Sequence, residues 1–156
     1  VRDFIDTNFF DEMNYELGMY SLVTCFQGLE HVDDAAEVTR AAFRLLKPGG
    51  IFLTVAHNFR SFTARILGQR SPIFDVAHLQ LFSRSSLKEL YSQAGFEKLD
   101  VQIMSNNFPI SYWIKLSPID LRLKNCIAMT TKRFGLDKIN IRLNAGNLWA
   151  QGTRLR

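Results

Sequence analysis

The stretch from Tyr20 to Ala56 constrains the fold more than any other part of the chain. "YSLVTCF" is short, β-branched, aromatic and almost wholly apolar, the pattern of a strand buried on both faces of a parallel sheet. Asp33 and Asp34 then offer helix caps, and Glu37, three residues after Asp34, imitates a capping box. Val38, Ala41, Ala42, Leu45 and Leu46 fall on one face of the helix that starts there, with Arg40, Arg44 and Lys47 on the others. Pro48 stops the helix, and Gly49-Gly50 lets the chain turn back. "IFLTVA", residues 51–56, is a second apolar strand. Strand, helix and strand joined by short links form a βαβ unit, so the strands near 20–26 and 51–56 are expected to be parallel neighbours.

Downstream, Ser83 caps a helix that runs to Gln93 and ends at Gly95, and Leu99, Val101 and Ile103 alternate as in a strand. Residues 57–82 are long, Arg-rich and irregular, as in a lid or a substrate-side insertion. Residues 112–134 read as helical with a break at Ser117-Pro118, and "NLWAQGTRL" reads as a closing strand. A chain of 156 residues with 47% hydrophobic content and no linker-like stretch is expected to form one domain, residues 1–156.

The net charge of +4 conceals a polarity. Residues 1–110 hold 10 Lys and Arg against 13 Asp and Glu, whereas residues 111–156 hold 9 against 2. A basic end of this kind meets phosphates, acidic lipids or an acidic partner, or is simply a solvated helix face. No nucleic-acid motif accompanies it, so no nucleic-acid partner is expected. Cys25 and Cys126 match no metal spacing and read as two reduced thiols, with no metal site. The apolar runs are too short to span a bilayer, and "VRDFIDTNFF" has no signal-peptide pattern, so the expected location is the cytoplasm.

Taken together, "YSLVTCFQGLEHVDD", "FRLLKPGGIFLTV", "HLQLFSRSSLKELYSQAGF" and "NAGNLWAQGTRL" resemble the class I S-adenosylmethionine-dependent methyltransferases, in the branch that includes ubiquinone-biosynthesis O-methyltransferases. The resemblance implies an α/β fold, a partial Rossmann-like, doubly wound sheet with an antiparallel C-terminal strand. That closing strand should insert between the strands near 51–56 and 97–104. It also implies S-adenosylmethionine as cofactor and methyl transfer to a small-molecule acceptor, most plausibly at oxygen. Two departures stand out. No Gly-rich cofactor turn precedes Tyr20, and Ser21 and Gln27 stand where the family commonly carries acidic residues. The expectation is therefore that the chain corresponds to the C-terminal part of such an enzyme, with "RDFID" as the family's third strand and with weak or absent cofactor binding by this chain alone. The strand near 20–26 would then expose one edge, a site for a homodimer or another chain. The competing reading is a non-catalytic interaction module of the same fold.

The resemblance and the strand-end rule for open α/β sheets assign the candidate residues. His31 is the candidate catalytic residue, with turn-holding and helix capping as its alternative; Glu30 reads as structural, its carboxylate stabilised by amides at a helix N-terminus. Phe26 and Gln27 would approach the methionine part of the cofactor. Phe9, Phe10 and Asp11 would meet the adenine or be ordinary loop and core residues. His57, Asn58 and His78 are candidate acceptor contacts, with turn-forming or loop-fixing roles as the alternative. Arg60, Arg65 and Arg70 would hold an anionic acceptor or remain solvated loop residues.

Overall fold

The computed structural model describes residues 17–74, 76–117 and 119–156, without the side chains of Arg70 and Pro72. "RDFID", Phe9, Phe10, Asp11 and Pro118 therefore lie outside the described residues. The chain divides into two compact units, one of residues Val1–Met104 and Gly146–Arg156, the other of Ser105–Ala145.

In the first unit, strand β1 (Tyr20–Phe26) leads through a 3-10 turn (Leu29–His31) into helix α1 (Ala35–Leu45) and then strand β2 (Leu46–His57). β1 and β2 are parallel, with Leu22 opposite Ile51 and Phe26 opposite Val55, as the βαβ reading requires. Asp34 caps α1 by accepting the Glu37 N–H at 2.9 Å. Only half of the capping box forms, because the Glu37 carboxylate turns outward to Arg40 at 2.9 Å and Arg44 at 2.8 Å. Those bonds, the one to Arg40 foremost, hold the Glu37 carboxyl below the usual carboxylate range. A lowered folded-state value stabilises the fold above the ordinary Glu range and is lost as pH falls through it. The groups are partly exposed, so the expected loss is small, about 0.5 kcal/mol. Urea midpoints of the wild type and of Glu37→Gln should differ at neutral pH and converge at acid pH.

The Lys-Pro-Gly-Gly stretch does more than reverse the chain, because β2 starts at Leu46 and contains it. The register between β1 and β2 shifts there, from Tyr20 opposite Leu46 to Leu22 opposite Ile51. Gly49 takes a φ of 80°, and a Cβ on Gly50 would lie 2.9 Å from the Tyr20 carbonyl oxygen. Both glycines are thus needed for the bulge. Gly49 N–H donates to the Arg154 carbonyl at 2.6 Å, tying the bulge to the end of the closing strand.

Helix α2 (Phe62–Leu67) is short, and helix α3 (Arg84–Gln93) is capped by Ser83, whose side chain accepts the Ser86 N–H while Ser86 Oγ accepts the Ser83 N–H. Strand β3 (Glu97–Pro109) and strand β4 (Asn140–Thr153) complete a four-stranded sheet of order β1-β2-β4-β3. The closing strand is antiparallel to β2 and inserted beside it, as the resemblance implied. The expected alternation of β3 holds in part: Val101 is buried and Leu99 packs on the core, but Ile103 is exposed.

α1 and α3 supply the apolar cover for one face of the sheet. Phe52, Thr54 and Ala56 of β2 point into it, opposite Gly152, Ala150 and Leu148 of β4. Small residues on β4 leave room for the rings: a Cβ on Gly152 would lie 2.6 Å from Tyr91 Cδ1. Tyr91 and Phe96 stack with Phe52 at centroid distances of 5.3 and 5.7 Å.

In the second unit, helix α4 (Ile110–Leu116) and helix α5 (Leu121–Arg133) follow the end of β3. The break between them falls at the expected place. Trp113 Nε1–H donates to the Ile141 carbonyl at 3.0 Å, and Phe108, Tyr112 and Trp113 form a ring cluster.

Candidate functional site

β1 and β2 are parallel, so their carboxyl ends finish side by side, and the residues just beyond them meet. After Phe26 the chain turns sharply. Gln27 has a φ of 53°, its N–H donates to the Val55 carbonyl at 2.8 Å, and a Cβ on Gly28 would lie 2.8 Å from Cys25 Sγ. Glycine at 28 lets the turn close over Cys25. Phe26 is exposed and Gln27 half-buried.

Glu30 lies at the centre of the construction. It is fully buried, and its Oε1 accepts the backbone N–H of His57 at 2.6 Å. Its carbonyl accepts the N–H groups of Leu79 at 2.8 Å and Gln80 at 3.2 Å. One residue therefore joins the end of β1, the end of β2 and the segment before α3. Its side chain bonds the β2 amide, not the amides of a helix terminus that the sequence suggested. Oε2 is buried without a hydrogen-bond partner among the described residues.

This arrangement brings His31, His57 and His78 together. The ring centroids of His31 and His78 are 4.9 Å apart, and those of His57 and His78 are 5.0 Å apart. All three are half-buried. His31 Nδ1 is 2.8 Å from the Ala77 carbonyl oxygen, and His78 Nδ1 is 2.8 Å from that of Ile73. His57 Nδ1 is 2.9 Å from Asn147 Oδ1. A carbonyl oxygen only accepts, so each Nδ1 carries its proton, and in the neutral ring each Nε2 keeps a free lone pair. Among the described residues no group of three His, Cys, Asp or Glu side chains is placed to hold a metal ion.

The other candidates divide. Asn58 is buried; its side chain accepts the Arg60 N–H at 3.1 Å in an Asx turn, and its own N–H donates to the Gly146 carbonyl at 2.7 Å. Arg60 and Arg65 are exposed, Arg60 lying 5.5 Å from the Phe59 ring centre. The side chain of Arg70, like Phe10 and Asp11, lies outside the described residues. Sequence reasoning missed Asn147. It is selected by strand register, because β4 pairs Asn147 with His57.

Cys25, below the turn, is distinguished from Cys126 by its surroundings. Burial, and after it the Glu30 carboxylate, pushes the Cys25 thiol up, whereas Cys126 is exposed on α5. Since the thiolate is the reacting form, maleimide should label Cys126 first and Cys25 only slowly until the protein is unfolded. Peptide mass spectrometry over a labelling time course checks the order; faster labelling of Cys25 would contradict the packing of this turn.

Comparison with known proteins agrees with this fold. A methyltransferase domain family matches residues 2–101. The ubiquinone biosynthesis O-methyltransferase of Pseudomonas aeruginosa is 45% identical over 107 residues, covering 64% of this chain and 46% of that protein. The enzyme of the same name from Bordetella pertussis is 36% identical over 107 residues, covering 64% and 44%. The chain thus spans less than half the length of these curated relatives. Among solved structures, an S-adenosylmethionine-dependent methyltransferase from Thermotoga maritima, described as a possible histamine N-methyltransferase, superimposes with a TM-score of 0.61 at 17% identity. That alignment covers 93% of this chain and 60% of the other. A phosphoethanolamine N-methyltransferase from Haemonchus contortus, solved with S-adenosylhomocysteine, gives 0.53 at 15% identity, covering 94% and 36%. At such identities the likeness concerns the fold alone. The βαβ unit, the inserted antiparallel strand and the family match across most of the first unit lead to one assignment: this chain belongs to the class I S-adenosylmethionine-dependent methyltransferases.

Proposed function

We propose that this chain forms the acceptor side of an enzyme that transfers a methyl group to an oxygen of a small molecule. The observation that carries the reading is the histidine cluster at the carboxyl ends of β1 and β2, with every Nδ1 committed to an acceptor. Methyl transfer from a sulfonium is an in-line displacement that depends chiefly on positioning and dryness. A hydroxyl acceptor must also lose a proton, and a neutral imidazole is suited to take it. S-adenosylmethionine, when bound, supplies the electrophilic methyl group.

The turn at residues 26–28 is assigned to the methionine end of that cofactor by its place at the carboxyl end of β1, where Gln27 takes a φ of 53°. The cradle for the rest of the molecule would come from sequence beyond the residues described. His57 is the proposed base, oriented by Asn147. His31 and His78 flank the acceptor and stay proton acceptors at Nε2. Glu30 holds the end of β2 in place and touches no reacting atom.

Radiolabelled methyl transfer to a panel of phenols, amines and carbon acceptors, with the cofactor half supplied in cis, tests the reading. Labelled phenols with inert amines would support it; labelled amines alone would overturn it. Calorimetry of the 156-residue chain with S-adenosylhomocysteine separates the halves. Weak or absent heat is expected, and tight binding would contradict the assignment of the cradle to other residues.

The observations favouring a second reading, a non-catalytic module, are the exposed Leu22 and Phe26 on β1. Self-association through that strand would give a homodimer, which light scattering of the chain detects; a dimer together with no transfer to any acceptor of the panel would favour this reading.

A further inference from the structure

The second unit, Ser105–Ala145, carries a surface to which the proposed chemistry gives no role. Neither α4 nor α5 buries a single residue, and no helix among the described residues is long and apolar enough to cross a membrane. Leu121, Met129 and Phe134 are each 69% exposed, and Leu116 and Leu123 stand about half in water. Residues Ser105–Ala145 carry seven Lys and Arg against two Asp. Arg122, Lys132, Arg133, Lys138 and Arg142 are exposed among the apolar side chains. The unit is nonetheless internally tied. Lys124 Nζ donates to the Lys115 carbonyl at 3.0 Å, joining α5 to the end of α4, while the Trp113 bond to Ile141 secures α4 to the start of β4.

We propose that the unit Ser105–Ala145 docks on the surface of an anionic lipid bilayer. Charge complementarity selects this occupant. A nucleic acid would neutralise the bases but leave Leu121, Met129 and Phe134 in water, whereas the headgroup boundary of an anionic leaflet takes both. The phosphates meet the bases and the acyl boundary takes the apolar side chains. Lys and Arg stems lie along apolar surface while their heads reach outward, so interleaving the two kinds of residue is no obstacle. Exposed apolar side chains of this size, interleaved with bases, are otherwise costly for a unit to keep in water.

Vesicle flotation of the whole 156-residue chain tests the proposal. The chain should float with vesicles of phosphatidylcholine containing about one-third phosphatidylglycerol, remain unbound with phosphatidylcholine alone, and be released by about 1 M salt. Each base near such a surface contributes about fivefold to partitioning, so Lys132→Glu with Arg133→Glu should lower it at least about 25-fold. Met129→Ser with Phe134→Ser should lower it at least about tenfold with the bases intact. These positions are exposed, so circular dichroism of both variants should match the wild type; the serine variant should also keep its melting temperature, while the glutamates, in the last turn of α5, should lower it slightly. Failure of the folded chain to float, equal binding to neutral vesicles, or undiminished binding by the charge-reversed variant would each overturn the proposal. So would a dimer, abolished by the serine substitutions, in a chain that ignores vesicles, because the surface would then be a self-association face.

Discussion

Replacing Tyr91 by alanine is expected to cost about 3–5 kcal/mol of folding stability. The ring is fully buried between α3 and the sheet, stacked on Phe52 at 5.3 Å and tilted against Phe96 at 5.2 Å. Its hydroxyl donates towards Thr54 Oγ1 at 3.0 Å and the Ala150 carbonyl at 3.3 Å, so it joins β2 to β4. Tyr91→Phe keeps the ring but strands these buried polar partners, a loss of about 1–2 kcal/mol. The difference between the variants measures packing separately from hydrogen bonding, and urea unfolding of both gives it. Equal losses would mean that the ring is not the keystone. Burial drives the Tyr91 phenol far above its ordinary range. A raised folded-state value gives stability that is complete below the unfolded-state pKa, about 10, and is lost as pH rises above it. The Tyr91→Phe variant should lack that alkaline limb.

The elements that govern the core were legible for local reasons. Asp34 and Ser83 announce their helices through side chains that need an adjacent amide, and Val38, Ala41 and Ala42 mark a face by spacing alone. The inserted β4 was legible by resemblance. What the sequence could not disclose depends on register and on contacts between distant segments. The bulge at Gly49-Gly50 is tied to Arg154, over a hundred residues away, and nothing near Pro48 announces that partner. Glu30 looked like a residue of a helix terminus because the only amides visible in sequence are its neighbours. The amide it accepts belongs to His57, on another strand. The three histidines could each be placed at a strand end or on the intervening loop, but their common position follows from Glu30 holding those segments together. Asn147 gave no signal, since a slip of one residue in β4 would turn it to the other face.

That dependence on register makes Asn147 the informative position for the chemistry. If His57 takes the acceptor proton, His57→Ala should lower methyl transfer about 10²–10⁴-fold. The loss alone would not distinguish a base from a residue that shapes the pocket. His31 and His78 are tied to backbone carbonyls, which substitution leaves in place, whereas His57 is tied to a side chain. Asn147→Leu removes the acceptor with little change in volume, so His57 loses the partner that fixes its tautomer. Imidazole nitrogen shifts should then change from a single Nδ1-protonated form to a mixture, with transfer falling about 10–100-fold, the usual scale for an orienting partner. Asn147→Asp retains an acceptor at the same reach and should restore both the tautomer and most of the rate. A purely structural Asn147 would lower stability without moving the nitrogen shifts. Full transfer activity in Asn147→Leu with a mixed tautomer would instead remove His57 from the role of base and leave His31, the residue the sequence first singled out, as the one to test.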